Sequence, residues 1–212
     1  MVTTRVLSNR QAVELTNGKA KQAISLSSAA LPIVGSSKEK PMSIPSAESI
    51  PRPQQLHFIP AMSLRESAQL LHRLYHSCPT YISLIGGEAP SLIDIERELE
   101  TLRHDTRRQA MLILEGEQMV GFLDYKVAYP DLHAATISLL LVDEKIQGRG
   151  LGRLVVEQLE ALLKGRTERL YAVVYGNNER AKTFWKRCGF AHLRDSGPSL
   201  GWYEKELLTI DS

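Results

Sequence analysis

The sequence is short of several things, and each shortage removes a class of protein. Only two cysteines, Cys78 and Cys188, occur in 212 residues, too few for a disulfide framework or a four-thiolate zinc site. No apolar run approaches the roughly 20 residues that span a bilayer. An excess of one charge is also missing: 26 basic against 24 acidic residues leave +2, which suits neither a strongly basic nucleic-acid binder nor an acidic, solvating chain. The expectation is a protein of a reducing compartment, the cytoplasm, with neither nucleic acid nor membrane as partner. No spacing of His, Cys and carboxylates suggests a metal site.

Aromatic residues are absent from residues 1–55, which hold 9 Ser, 5 of the 10 Pro and 7 basic against 3 acidic residues. Ordering such a stretch costs about 1–2 kcal/mol per residue in backbone entropy, with little apolar surface to offset it. The composition predicts a flexible extension over 1–55 with a short helix at 21–31, appended to one domain over 56–212. A transit peptide, or a start at Met42 or Met62, are the alternatives.

From Leu56 onward the pattern is regular. A strand over 56–61 feeds a helix opened by the capping box of Ser63 and Glu66, with Ala68, Leu71 and Leu74 on one stripe. Residues 79–90 read as a loop. A second helix begins at Ser91 and lines up Leu92, Ile95, Leu99 and Leu102, leaving Glu96, Arg97, Glu98, Glu100 and Arg103 as a solvated face. Strands over 111–114 and 119–127 form a hairpin, and 135–142 is apolar enough to be central. A helix over 150–164, a strand over 170–175, a helix over 178–188 and strands over 190–193 and 202–208 complete the order. The alternation predicts an α/β fold, a mixed central sheet with helices on both faces.

Three glycines within five residues, Gly148, Gly150 and Gly152, stand between the central strand and an amphipathic helix. Inside a helix each would cost about 1 kcal/mol relative to Ala. At a strand-to-helix turn they let backbone approach a ligand where free N–H groups and the helix dipole converge, which suits a diphosphate. A tight turn without ligand is the plainer reading. A Walker loop needs Gly-Lys-Ser/Thr, which is missing, and G-x-G-x-x-G fails by one position.

The same residues carry a resemblance. Gln147-Gly148-Arg149-Gly150-Leu151-Gly152, with Val142 at the strand end, is similar to the [Gln/Arg]-x-x-Gly-x-[Gly/Ala] loop of the Gcn5-related N-acetyltransferase (GNAT) superfamily, and Asn178, Ala181, Trp185, Gly189 and Phe190 match its second motif. The resemblance covers about 56–208 and implies a GNAT-like acyl-CoA N-acyltransferase fold. It implies acetyl-CoA as acyl donor, bound between the strands over 135–142 and 170–175. Gln147, Gly148, Arg149, Gly150, Leu151 and Gly152 would hold the pyrophosphate, Leu140, Leu141 and Val142 the pantetheine arm, and Asn178 the cofactor arm.

The implied reaction is direct acetyl transfer to a primary amine of a small molecule or peptide, with a homodimer admitted as the assembly. The chain departs from that family's pattern in two places. Trp185 stands where a Tyr acid is usual, and the strand before the glycine loop lacks a Glu. Candidates for proton transfer are therefore Asp124, His133, Tyr171 and Tyr175, against the plainer readings of surface or packing residues. Cys78 could suggest an acyl-cysteine route, but no Cys-His arrangement accompanies it, and Cys188 is assigned to packing. A non-catalytic acyl-CoA-binding or regulatory module of the same fold is the alternative function.

Overall fold

The computed structural model describes residues 55–61 and 64–207. The expected extension, its short helix and the Ser63 cap lie outside the described residues, Gln55 excepted. The described elements are β1 (Leu56–Pro60), α1 (Leu64–His76), α2 (Pro79–Leu84), α3 (Leu92–Arg103), β2 (Arg108–Glu115), β3 (Gln118–Val127), β4 (Ala134–Val142), α4 (Leu151–Leu163), β5 (Arg169–Tyr175), α5 (Glu179–Arg187), β6 (Ala191–Asp195) and β7 (Leu200–Glu206). They form a seven-stranded sheet in the order β1-β2-β3-β4-β5-β7-β6. Neighbours are antiparallel except β4 and β5, which run parallel.

Strand alternation sends successive side chains to opposite faces, and each face has its own cover. Leu112, Phe122 and Leu141 pack with Leu71, Leu74 and Tyr75 of α1 and Ile95, Leu99 and Leu102 of α3. Leu123, Ile137, Leu170 and Ala172 turn the other way, under Val155, Val156, Leu159 and Leu163 of α4 and Trp185 of α5. Trp185 is buried and meets Phe184 and Phe190 edge to face, with centroids 4.9 and 5.0 Å away. Its position is explained by packing.

One expectation fails. Residues 79–84, read as loop, form the short helix α2, which has Pro79 in its first turn. Proline is suited to that position because its missing N–H would be unpaired there anyway. The turn is further secured from a distance: Glu144 accepts hydrogen bonds from the Thr80 N–H at 2.9 Å, the Tyr81 N–H at 3.4 Å and the Thr80 hydroxyl at 3.2 Å. No local pattern announces a cap donated from 64 residues away.

Candidate functional site

The sheet opens in its middle. β4 and β5 pair only from Ala134 and Arg169 to Ile137 and Ala172. Beyond that, β4 stays with β3 as far as Val142, and β5 stays with β7 as far as Tyr175. The split begins at a bulge, where Asp124 faces Leu139 but Tyr125 faces Ile137, so that Ser138 is the extra residue. The Ser138 hydroxyl is buried without a hydrogen-bond partner among the described residues. Asp143 donates its N–H to the Val120 carbonyl at 3.0 Å, which fixes the ladder phase. By antiparallel alternation the polar backbone groups of Leu139 and Leu141 face β3, while those of Leu140 and Val142 face the gap.

The glycine-rich turn closes the gap at the end of β4. Gln147 folds back and donates from Nε2 to the Val142 carbonyl at 2.6 Å, while Asp143 accepts from the Lys145 N–H at 3.0 Å. Gly148 and Gly150 have φ of +83° and +84°, and a Cβ at either would touch nothing within 4 Å. These two glycines serve backbone conformation. Gly152 differs: a Cβ there would lie 3.1 Å from the Phe184 ring, so this glycine lets α4 pack closely on α5. Gly150 is the N-cap of α4 with no side-chain cap, so the first N–H groups of a 13-residue helix are left for another acceptor. Arg149 and Arg153 face Glu115 and Glu157, at 4.0 and 2.7 Å.

On the α1–α3 face beside the gap lies a polar cluster. Arg108 of β2 grips Asp124 of β3 with two nitrogens, Nε standing 2.9 Å from Oδ1, and both side chains are buried. Glu98 of α3 lies within their field; burial, then Asp124, push its carboxyl up to about 7, and Arg108 opposes the rise. Tyr75 and Tyr81 stand close enough to feel the charge of Glu98, and burial raises both phenols above their usual range. Tyr175, at the end of β5, is also raised by burial, opposed by Arg108. Cys78 donates to the Val142 carbonyl at 3.4 Å, and burial pushes its thiol up. It is a packed thiol.

The four residues expected to move protons separate. Tyr175 borders the gap on the same face as Asp124. Asp124, expected as a base or amine anchor, is beside the bulge with both its oxygens engaged by Arg108. His133 precedes β4 at the end opposite the split, exposed and 3.5 Å from Glu168; five extended residues, about 16 Å, separate it from Ser138. Tyr171 lies where β4 and β5 are still paired, and its hydroxyl donates to Glu204 of β7 at 2.8 Å. Neither lies on the stretch where β4 and β5 have parted.

Asn178 caps α5, its Oδ1 accepting from the Ala181 N–H at 3.0 Å. Sequence reasoning missed Glu98, placing it on a solvated face. The available signal was its spacing, three residues after Ile95 and four before Leu102, at the flank of the buried stripe. It also missed Arg108 and Ser138, which only strand register brings to the split.

The family model for the acetyltransferase (GNAT) family matches residues 69–190, more than half of the chain. An acetyltransferase from Thermus thermophilus is 46% identical, with 74% of this chain and 99% of that one covered at a TM-score of 0.70. The ribosomal α-N-protein acetyltransferase RimL in complex with coenzyme A is 18% identical, with coverages of 74% and 97% and a TM-score of 0.58. Spermidine N-acetyltransferase from Vibrio cholerae, with coenzyme A and spermine, is 15% identical, with coverages of 72% and 96% and a TM-score of 0.58. These last two share the fold. Among curated proteins there is no significant match.

Proposed function

The chain belongs to the GNAT acetyltransferase family and is an N-acetyltransferase, and from that premise we propose how its own residues serve the reaction. The domain over 56–212 takes acetyl-CoA as donor and a primary amine of a small molecule or peptide as acceptor, with 1–55 as an appended extension. The observation that carries this reading is the gap between β4 and β5, open on backbone polar groups and ending at an uncapped helix N-terminus. The free N–H groups of Leu151, Gly152 and Arg153 suit a diphosphate, reinforced by the helix dipole. Gln147 fixes the loop through the Val142 carbonyl, while the backbone groups of Leu140 and the N–H of Val142 offer strand-like hydrogen bonds to an extended amide-bearing arm. Asn178 keeps its amide N–H groups available beside that arm.

Such a site works chiefly by alignment: an amine and a thioester held in contact no longer need to meet by diffusion. Tyr175 borders the gap and supplies the departing sulfur with a proton, a phenol being protonated at neutral pH. Trp185, in the core, takes no part. Both cysteines are free, in keeping with a cytoplasmic site of action, and no described helix is long and apolar enough to cross a membrane.

The test is calorimetry with acetyl-CoA followed by thiol release in the presence of propylamine, spermidine and a Ser-terminated tetrapeptide. Saturable acetyl-CoA binding and acceptor-dependent release of coenzyme A are expected. A folded protein that does not bind acetyl-CoA would overturn the reading.

A further inference from the structure

A helix of six residues has almost no stability of its own, so α2 lies where its contacts put it, and those contacts come from both sides of the split. Ahead of its first turn, Cys78 donates from Sγ to the carbonyl of Val142, the last residue of β4, at 3.4 Å. From the turn that follows β4, Glu144 accepts hydrogen bonds from the N–H groups of Thr80 and Tyr81 and from the Thr80 hydroxyl, at 2.9, 3.4 and 3.2 Å. At the other end of α2, a Cβ at Gly176 would stand 3.9 Å from the Leu84 carbonyl oxygen, and Gly176 directly follows β5. The short helix therefore bridges the parted ends of β4 and β5.

The bridge crosses one face only. Ile82 of α2 is buried among residues of α1 and α3, whereas α4, whose N-terminus is the proposed diphosphate site, packs on the opposite face. With a donor laid in from the α4 side, the α1–α3 face is the approach left to the amine, and α2 is a wall of that approach. Donor loop and acceptor wall then meet in a single turn. Gln147 and Cys78 share the Val142 carbonyl, at 2.6 and 3.4 Å, Asp143 accepts from the Lys145 N–H within the turn, and Glu144 reaches out of it to α2. A diphosphate that steadies this turn steadies the cap of α2 with it.

Resting on the acetyltransferase reading above, we infer that Glu144 is a positioning residue that couples the two substrates: donor binding holds the turn after β4, and Glu144 carries that hold to the acceptor wall. Two arrangements of α2 are in exchange. In one it is capped and docked; in the other Glu144 has let go and the Thr80 and Tyr81 N–H groups meet water. Donor favours the first because the turn it binds supplies the cap. Linkage makes the effect mutual, so that a bound acceptor also tightens the donor. Glu144 touches neither reactant, and no proton or bond of the transfer passes through it.

The first measurement needs no acceptor. Coenzyme A should slow amide exchange at Thr80 and Tyr81 of the wild type about tenfold more than it slows exchange in α3, a factor within the usual range of coupling between sites. In Glu144→Ala this extra protection should vanish. In Glu144→Gln it should return, since a Gln oxygen can still accept from both N–H groups. The second measurement is turnover at saturating acetyl-CoA with the best of propylamine, spermidine and the Ser-terminated tetrapeptide. Glu144→Ala should raise the acceptor KM about tenfold with kcat changed by less than about threefold, and Glu144→Gln should stay within about threefold of wild type in both.

Wild-type Thr80 and Tyr81 amides that gain no more protection than α3 would overturn the inference, whether or not the alanine variant folds. So would an acceptor KM unchanged in a folded Glu144→Ala, or a loss that falls on kcat and leaves KM alone. A wild type that does not bind coenzyme A or acetyl-CoA would instead remove the reading beneath it.

Discussion

The glycines of one motif do different work, and substitutions can tell them apart. At Gly150 the positive φ leaves open space beyond Cα, so Gly150→Asp introduces a charge beside the proposed diphosphate site with backbone strain but no clash. Calorimetry should show acetyl-CoA binding at least about tenfold weaker, or 1.4 kcal/mol, in a protein that still unfolds cooperatively. Asp124 is governed by its buried partner. Asp124→Ala strands the Arg108 guanidinium and should lower stability in urea by about 3–5 kcal/mol, whereas replacing both together, Asp124→Leu with Arg108→Met, should recover most of the loss. A loss no smaller in the double variant would mean that the pair is not what the site leans on.

Among the elements, α2 has the weakest claim to stand alone. Six residues cannot sustain a helix by propensity, and Glu144 from the turn after β4 supplies its N-terminal acceptor. Glu144→Ala should cost about 1 kcal/mol, as other lost caps do. It should also speed amide exchange at Thr80 and Tyr81 well beyond exchange in α4, measured by hydrogen exchange. Equal protection in variant and wild type would show that packing of Tyr81 and Ile82 suffices. The same helix marks where reading the sequence stops. The repeating apolar positions of α1, α3 and α4 and the strands β3, β4 and β5 were legible because each is dictated by residues within one turn or one strand. The glycine loop was legible for the same reason. Glu144 on α2 and Arg108 on Asp124 are pairings across 16 or more residues of chain, and register and helix docking decide them. The positions of His133 and Tyr171 were illegible for that reason too: a strand has two ends and two neighbours, and their letters name neither.

At the scale of the molecule, the Thermus relative is matched almost end to end by only part of this chain. A chain beginning at Pro53 should therefore bind acetyl-CoA with an affinity within about threefold of the full-length protein, a difference below 1 kcal/mol. Loss of binding in the shortened, folded protein would make residues 1–52 part of the site. The split between β4 and β5 has a consequence of another kind. Sheets normally confine their unsatisfied backbone to the two outer margins, where natural sequences blunt it against sticking to other chains. Here a third margin lies inside, along 138–142, and the proposed donor would cover it by lying down like a missing strand. Without donor in solution this interior margin is a template for any extended peptide, including a second unfolding copy. Donor concentration should then act as a guardian of solubility: on heating, light scattering ought to begin at a lower temperature in the ligand-free protein than in one saturated with coenzyme A, by more than the accompanying change in Tm.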